Sequence, residues 1–233
     1  MRTVICIPTY NECDNLAPLV EEILASIDAV DVMVIDGHST DGTADIARDL
    51  AKKSDRVSLV QPVAGGSVAT AYAEGFRQAL RDGYEQIVQM DADFSHQPRY
   101  LKHLLEGLQT SDVVIGSRYV AGGSVDQWSL ARRLVSRAGN VYVGTVLQMP
   151  YQDTTSGFVA FRRHVLEAVD FEELQGEGRA FQVELKYRAH RLGFTITEVP
   201  IHFWDRVVGS SKLTTMSAVD SLVNVLKVRL KGD

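Results

Sequence analysis

Five short runs of β-branched and aliphatic residues, at 3–7, 31–35, 57–60, 86–90 and 113–115, each close in a polar loop. Apolar residues at helical spacing follow the first four: Leu16, Leu19, Val20, Ile23, Leu24 and Ile27; then Ile46, Ala47 and Leu50; then Tyr72, Phe76, Ala79 and Leu80; then Leu101, Leu104, Leu105 and Leu108. Strands that alternate with helices in this way bury both sheet faces, which predicts an α/β fold with a mostly parallel sheet flanked by helices. The second half is less regular. It predicts a long helix over 129–147, a short strand at 159–161, a helix near 181–192, a strand near 195–199 and a terminal amphipathic helix with Val219, Leu222, Val223, Leu226 and Leu230 on one stripe. With 233 residues and no repeat or linker, one domain is expected.

In an open α/β sheet, ligands bind beyond the carboxyl ends of the strands, so the loops that follow each strand hold the chemistry. The fourth strand ends in Met90-Asp91-Ala92-Asp93-Phe94-Ser95-His96. Two carboxylates one residue apart can place one on a divalent cation and the other on a ribose or second metal position. Hard oxygen ligands of this type suit Mg²⁺ or Mn²⁺ on a diphosphate. The same residues also suit a strand-to-helix turn, because Asp and Ser cap helices and Pro98 fits a first helical turn. The six histidines show no metal-ligand spacing, and a polar turn role is expected for His96. Asp41 is the expected N-cap of the second helix.

Bulk properties narrow the partners. A net charge of -6 argues against nucleic acid held on a broad basic face. Two cysteines, Cys6 and Cys13, form neither a zinc pattern nor a disulfide framework, which favours a reducing cytosolic setting. The chain opens directly on a strand without a leader-like segment, and no apolar run approaches the roughly 20 residues of a bilayer span, so a soluble or peripheral protein is expected. Arg132, Arg133 and Arg137 read as a solvated helix face, with contact to acceptor or lipid phosphates as the alternative. Arg206-Val207-Val208-Gly209-Ser210-Ser211-Lys212 reads either as a solvated basic loop or as a lid that orders on a diphosphate. The terminal helix suits packing on the core, and its basic end suits docking at a membrane surface or membrane partner protein.

Taken in order, Ile7-Pro8-Thr9-Tyr10-Asn11-Glu12, the 36–43 loop, Asp91-Ala92-Asp93, Gly116-Ser117-Arg118-Tyr119, the 153–158 segment and the 206–212 loop resemble family 2 glycosyltransferases of the GT-A fold. Ser117-Arg118-Tyr119, Ser156-Gly157-Phe158, the Arg-x-x-Gly-x-Ser-Lys loop and Phe181-Gln182-Val183-Glu184-Leu185 are most similar to the polyprenyl (dolichyl) phosphate mannose synthases within them. The resemblance implies transfer of a sugar, with inversion, from a nucleotide sugar donor to a polyprenyl phosphate acceptor, GDP-mannose being the donor of that branch. It implies that Pro8, Tyr10, Glu12, Ile35 and Asp36 border the nucleotide, that Asp91 and Ala92 sit at the nucleoside, and that Asp93 with Ser95 holds Mg²⁺ or Mn²⁺. Arg118 would meet the sugar-phosphate or acceptor phosphate, and Arg206 and Lys212 would close over the diphosphate. Residues 1–119 would form the nucleotide-sugar half, 120–212 the acceptor half and closing loop, and 213–233 the amphipathic helix. A lipid acceptor implies a peripheral position at the cytoplasmic face of a membrane.

Two positions depart from the family pattern. Gly37 stands where a second carboxylate is usual, and the 64–69 loop has no lysine. Both lie on the donor side, so base and sugar choice stay open, with UDP-glucose or a non-catalytic sugar-nucleotide-binding module as alternatives. A nucleotidylyltransferase would place a basic Gly-rich cradle after the first strand, and a dinucleotide-dependent dehydrogenase would place Gly-x-Gly-x-x-Gly there. Pro8-Thr9-Tyr10-Asn11-Glu12 fits neither.

Overall fold

A computed structural model describes residues 1–62, 67–171, 174, 179–204, 225–226 and 228–229. Its main sheet contains β1 (Thr3–Thr9), β2 (Val30–Asp36), β3 (Val57–Val60), β4 (Gln86–Gln89), β5 (Val113–Ser117), β7 (Val159–Arg162) and β8 (Ile196–Pro200). The spatial order is β3-β2-β1-β4-β7-β5-β8. β7 alone runs antiparallel to its neighbours. A separate parallel pair joins β6 (Ser124–Val125) to β9 (His202–Phe203).

Alternation along the strands feeds two cores. Ile5, Ile7, Val32, Val34, Val88 and Ala160 face α1 (Cys13–Ser26), α2 (Thr43–Lys53) and α4 (Leu101–Gly107). Cys6, Met33, Ile35, Ile87, Ile115 and Phe161 face α3 (Val68–Arg81), α6 (Arg163–Ala168) and α7 (Arg179–Arg191). A sheet covered on both faces needs apolar residues at successive positions, which is why the inner strands read as continuous apolar runs. Among the described residues the expected strands and helices up to β8 are present, most within a residue or two of their expected ends; the expected terminal helix lies mostly outside them. The fourth helix differs in form, since a 3₁₀ turn, Pro98–Tyr100, leads into α4.

The placement of β7 has a structural consequence. Residues from the second half enter between β4 and β5, so the two proposed halves of the chain share one sheet. Antiparallel entry brings the 153–158 loop beside the carboxyl ends of β4 and β5.

One cap differs from expectation. The N-cap of α2 is Gly42, with φ 96, rather than Asp41. Asp41 instead accepts from Thr43 N at 3.0 Å and Cys13 N at 3.0 Å, so it serves the first turns of both α1 and α2 from one residue further out. These bonds outweigh burial and hold its carboxyl below the usual range.

α5 (Leu130–Leu147) begins at the expected Ser129, whose Oγ accepts from Arg132 N. Val225 of the terminal segment joins a small cluster with Val143 and Leu147 of α5 and Tyr187 of α7, so this described part packs on the domain. Most of the terminal stripe, the Arg206–Lys212 loop and Gly65-Gly66 lie outside the described residues.

Candidate active site

The carboxyl ends of β2, β1 and β4 lie side by side. Just beyond each is a non-glycine residue in the left-handed region: His38 (φ 62), Asn11 (φ 58) and Phe94 (φ 59). Such backbone is uncommon for Phe and persists where surrounding contacts over-determine it.

Hydrogen bonds supply those contacts. Asn11 N donates to Ser39 Oγ at 2.9 Å, Thr40 N to Asn11 Oδ1 at 2.9 Å and Glu12 N to Thr43 Oγ1 at 2.9 Å. Asp36, fully buried, accepts from Thr9 Oγ1, Ser39 N, Ser39 Oγ and Gln61 Nε2. Its carboxylate therefore organises the turn between β1, β2 and the end of β3. Ile35 and Ala92 are also core residues. Tyr10 is exposed beside this turn, and Glu12 Oε2 accepts from Asn15 Nδ2 at 2.8 Å. Pro8 is half-buried between β1 and the loop. His38 Nε2 lies 2.8 Å from Pro62 O, which directs that ring toward the β3 loop.

The β4 loop is fixed separately. Asp93 Oδ1 accepts from Ser95 N at 3.1 Å and Ser95 Oγ at 2.6 Å, so the expected Asp93–Ser95 pair is brought together. Asp91 is partly open and accepts from Tyr72 OH at 3.3 Å. Burial and the Asp91 charge keep that phenol protonated by raising its pKa well above the usual value. Asp91 N donates to His96 Nδ1 at 3.0 Å, and the His96 ring stacks on Phe158 at 5.0 Å. Burial lowers the His96 pKa, which matches a neutral ring that accepts at Nδ1. The expected turn role for His96 fits this geometry.

The donor atoms fit a divalent cation of the Mg²⁺ or Mn²⁺ kind. Asp91, Asp93 and Ser95 offer hard oxygens at one strand end. Among the described residues no group of three His, Cys, Asp or Glu side chains forms a cage. One or two carboxylates with substrate phosphates completing the shell is the usual arrangement for Mg²⁺.

Across the sheet, beyond β5, Arg118 forms a buried pair with Asp153. Nε donates to Oδ2 at 2.7 Å, Nη2 to Oδ1 at 2.6 Å and the backbone N to Oδ2 at 2.9 Å. Burial opposes both charges, but each partner outweighs it, holding Asp153 low and Arg118 high. Asn140 of α5 donates to Thr155 Oγ1 and accepts from Thr154 Oγ1 and Thr155 N, which ties this loop to α5. Lys186 of α7 is fully buried and donates to Ser156 O at 2.7 Å; burial pushes its pKa down to about 7. Sequence reasoning gave no role to Asp153, Asn140 or Lys186.

Trp128 ends the 120–128 loop, whose apolar side chains, like those of the terminal helix, are expected from the sequence to meet a bilayer or a membrane-bound partner; in the structure Trp128 is buried. Its indole lies under the guanidinia of Arg132 at 4.1 Å and Arg118 at 5.8 Å, and its ring meets Phe203 edge-on at 5.6 Å. Among the described residues its buried Nε1–H has no hydrogen-bond acceptor. Such a donor costs about 1–3 kcal/mol when left unpaired, which favours an oxygen-bearing ligand beside it. Arg132 is thus half-buried on an aromatic ring rather than part of a wholly solvated face. Arg206 and Lys212 fall outside the described residues.

The family model for glycosyl transferase family 2 matches residues 4–170. The chain is 39% identical over 227 residues to the undecaprenyl-phosphate mannosyltransferase of Micrococcus luteus, covering 97% of this chain and 93% of that protein. It is 38% identical over 233 residues to the polyprenol monophosphomannose synthase of Mycolicibacterium smegmatis, covering 99% of this chain and 88% of that one. Among solved structures, the glucosyl-3-phosphoglycerate synthase of Mycobacterium tuberculosis with Mn²⁺, UDP-glucose and phosphoglyceric acid aligns with a TM-score of 0.71 at 19% identity, over 97% of this chain and 79% of that one. That last likeness is one of fold.

Proposed function

This chain belongs to glycosyltransferase family 2, and from that membership we propose that it transfers mannose from GDP-mannose to a polyprenyl phosphate, with inversion at the anomeric carbon. The carrying observation is near full-length identity of 38–39% to two proteins whose names pair a polyprenyl acceptor with mannose. The reading is supported by the position of Asp91 and Asp93 just beyond β4, since ligands of open α/β sheets bind beyond the carboxyl ends of the strands.

In this reading Asp93, supported by Ser95, holds Mg²⁺ or Mn²⁺, and Asp91 faces the nucleoside. The bound cation would neutralise charge developing on the departing diphosphate. Tyr10 and Glu12 border the nucleotide, with Pro8, Ile35, Asp36 and Ala92 shaping the floor beneath it. Arg206 and Lys212 close from the C-terminal loop and add positive charge to the same leaving group. On the other side, an acceptor phosphate oxygen bonds to the anomeric carbon as the bond from that carbon to the diphosphate oxygen breaks. A phosphate monoester has a second pKa near 6, so it arrives ionised and needs orientation more than a general base. Arg118, held in place by Asp153, and Arg132, stacked on Trp128, supply that orientation.

A lipid acceptor places the protein at a membrane, and we assign it to the cytoplasmic face as a peripheral protein. Among the described residues no helix is long and apolar enough to cross a bilayer. A UDP-sugar donor is the second reading, favoured by Gly37 and the lysine-free 64–69 loop. Thermal shift with a panel of GDP- and UDP-sugars in Mg²⁺ or Mn²⁺, followed by extraction of lipid-linked product, decides between them. Mannosyl lipid from GDP-mannose is expected; product from a UDP-sugar alone would replace this donor assignment.

A further inference from the structure

A surface helix of a soluble domain normally turns apolar residues inward and polar ones outward. α5 does not. Its inward side carries Asn140, Val143 and Leu147, all buried. Its outward side carries Leu130 (73% exposed), Leu134 (60%), Val135 (71%) and Val141 (63%). At 3.6 residues per turn, Leu130, Leu134 and Val141 fall within roughly 40° of one another, with Ala131 and Ala138 beside them. Arg133 and Arg137 are exposed at one margin of this stripe. The helix contains no Asp or Glu, although the chain as a whole carries -6.

We propose that the outward face of α5 docks on a lipid bilayer that bears anionic headgroups. This rests on the reading of the acceptor as a lipid phosphate and assigns the surface that meets the membrane. Charge selects the occupant: an apolar stripe with arginines at one margin and no carboxylates complements acyl chains beneath a negative headgroup layer. Position supports it as well. The N-cap of α5, Ser129, directly follows Trp128, and Arg132 of α5 lies over that ring beside Arg118. A cleft of about 390 Å³ beside the face is lined by Tyr119, Arg137, Asn140, Val141 and Tyr151. The described terminal residue Val225 packs on the inward side of α5 and leaves the stripe uncovered there.

The test is flotation of the purified chain with phosphatidylcholine vesicles, with and without phosphatidylglycerol, in the absence of nucleotide sugar. Wild type is expected to float with the anionic vesicles and to be released by high salt. Leu134→Glu/Val141→Glu should weaken partitioning by at least about tenfold, since two exposed apolar side chains lose their burial in lipid. Arg133→Glu/Arg137→Glu should weaken it on the order of tenfold or more through the headgroup charge alone. The four sites are exposed, and an unchanged melting temperature verifies that the variants fold. Wild-type partitioning in both variants would overturn the assignment. So would a wild-type dimer that ignores vesicles and becomes monomeric in Leu134→Glu/Val141→Glu, because a second copy would then be the occupant. Transfer to detergent-dispersed polyprenyl phosphate is measured separately. Absent transfer with intact, face-dependent flotation would remove the transferase reading and still support docking.

Discussion

Asp36, the last residue of β2, and Asp93, beyond β4, accept from hydroxyl and amide donors, whereas Asp153, in the loop before β7, takes both prongs of a guanidinium. At the ends of β2 and β4 these turn bonds come from neutral hydroxyl and amide groups and orient the carboxylates. On the acceptor side, opposite charges cancel inside the fold and the pair acts as a brace. Under the proposed function, the first arrangement orients carboxylates toward a cation, and the second fixes the arginine that orients the acceptor phosphate.

The largest effect expected from breaking this contrast is at the brace. Asp153→Ala leaves the Arg118 guanidinium buried without its partner, and removing one member of such a pair costs about 3–5 kcal/mol. Urea unfolding measures it, and a loss under about 1 kcal/mol would show that the pair is not a brace. Asp93→Ala should act in the opposite manner. Metal-dependent nucleotide binding should fall by at least about a hundredfold, as expected for loss of a charged ligand and its hydrogen bonds, with stability within about 1 kcal/mol of wild type. Near-normal metal response in titration calorimetry would remove Asp93 from the cation site. Asp91→Ala should impair nucleotide binding while keeping part of that response.

Lys186 sharpens the picture of the acceptor side through pH. Its folded pKa, about 7, lies below the unfolded value near 10.5. Between those values the unfolded chain binds the extra proton, so this residue makes stability rise with pH from about 7 to about 10.5. Below about 7 the residue is protonated in both states and its contribution is constant. Lys186→Met should remove that rise, read as the difference in unfolding free energy between wild type and variant across pH. A pH-independent difference would place the charge of Lys186 in contact with water.

The smallest change is at Gly37. A β-carbon there would lie 3.4 Å from Thr9 O, an ordinary contact, so the backbone at Gly37 can bear a side chain. Restoring the carboxylate should tighten or narrow nucleotide binding by roughly ten- to a hundredfold. Dissociation constants for GDP, UDP and their sugar conjugates measure this. Strong GDP-mannose selectivity that the variant leaves unchanged would mean that the base is read elsewhere.

Legibility in the sequence followed the range of the interactions. Strand runs, helix stripes and the Asp-Ala-Asp turn depend on neighbours within a few residues, and periodicity and turn chemistry expose those. The 153–158 segment was visible as a motif, but its partner Arg118 lies 35 residues away, and only the antiparallel entry of β7 joins them. Asp36 was expected at the nucleotide, yet its four donors come from the ends of three strands and their loops, a convergence no local pattern displays. Lys186 sits one residue beyond the recognised 181–185 motif, where a lysine on a helix normally reads as solvated. α5 showed its arginines in sequence, but which side faced inward depended on Asn140 reaching Thr154 and Thr155.

The most direct test of the whole account is transfer itself, measured as organic-extractable radioactivity from labelled GDP-mannose and polyprenyl phosphate with Mg²⁺ or Mn²⁺. The account predicts mannosyl-phospholipid that disappears with chelator and returns when the metal is restored. Equal product with chelator present, or none from GDP-mannose while another nucleotide sugar is used, would contradict it.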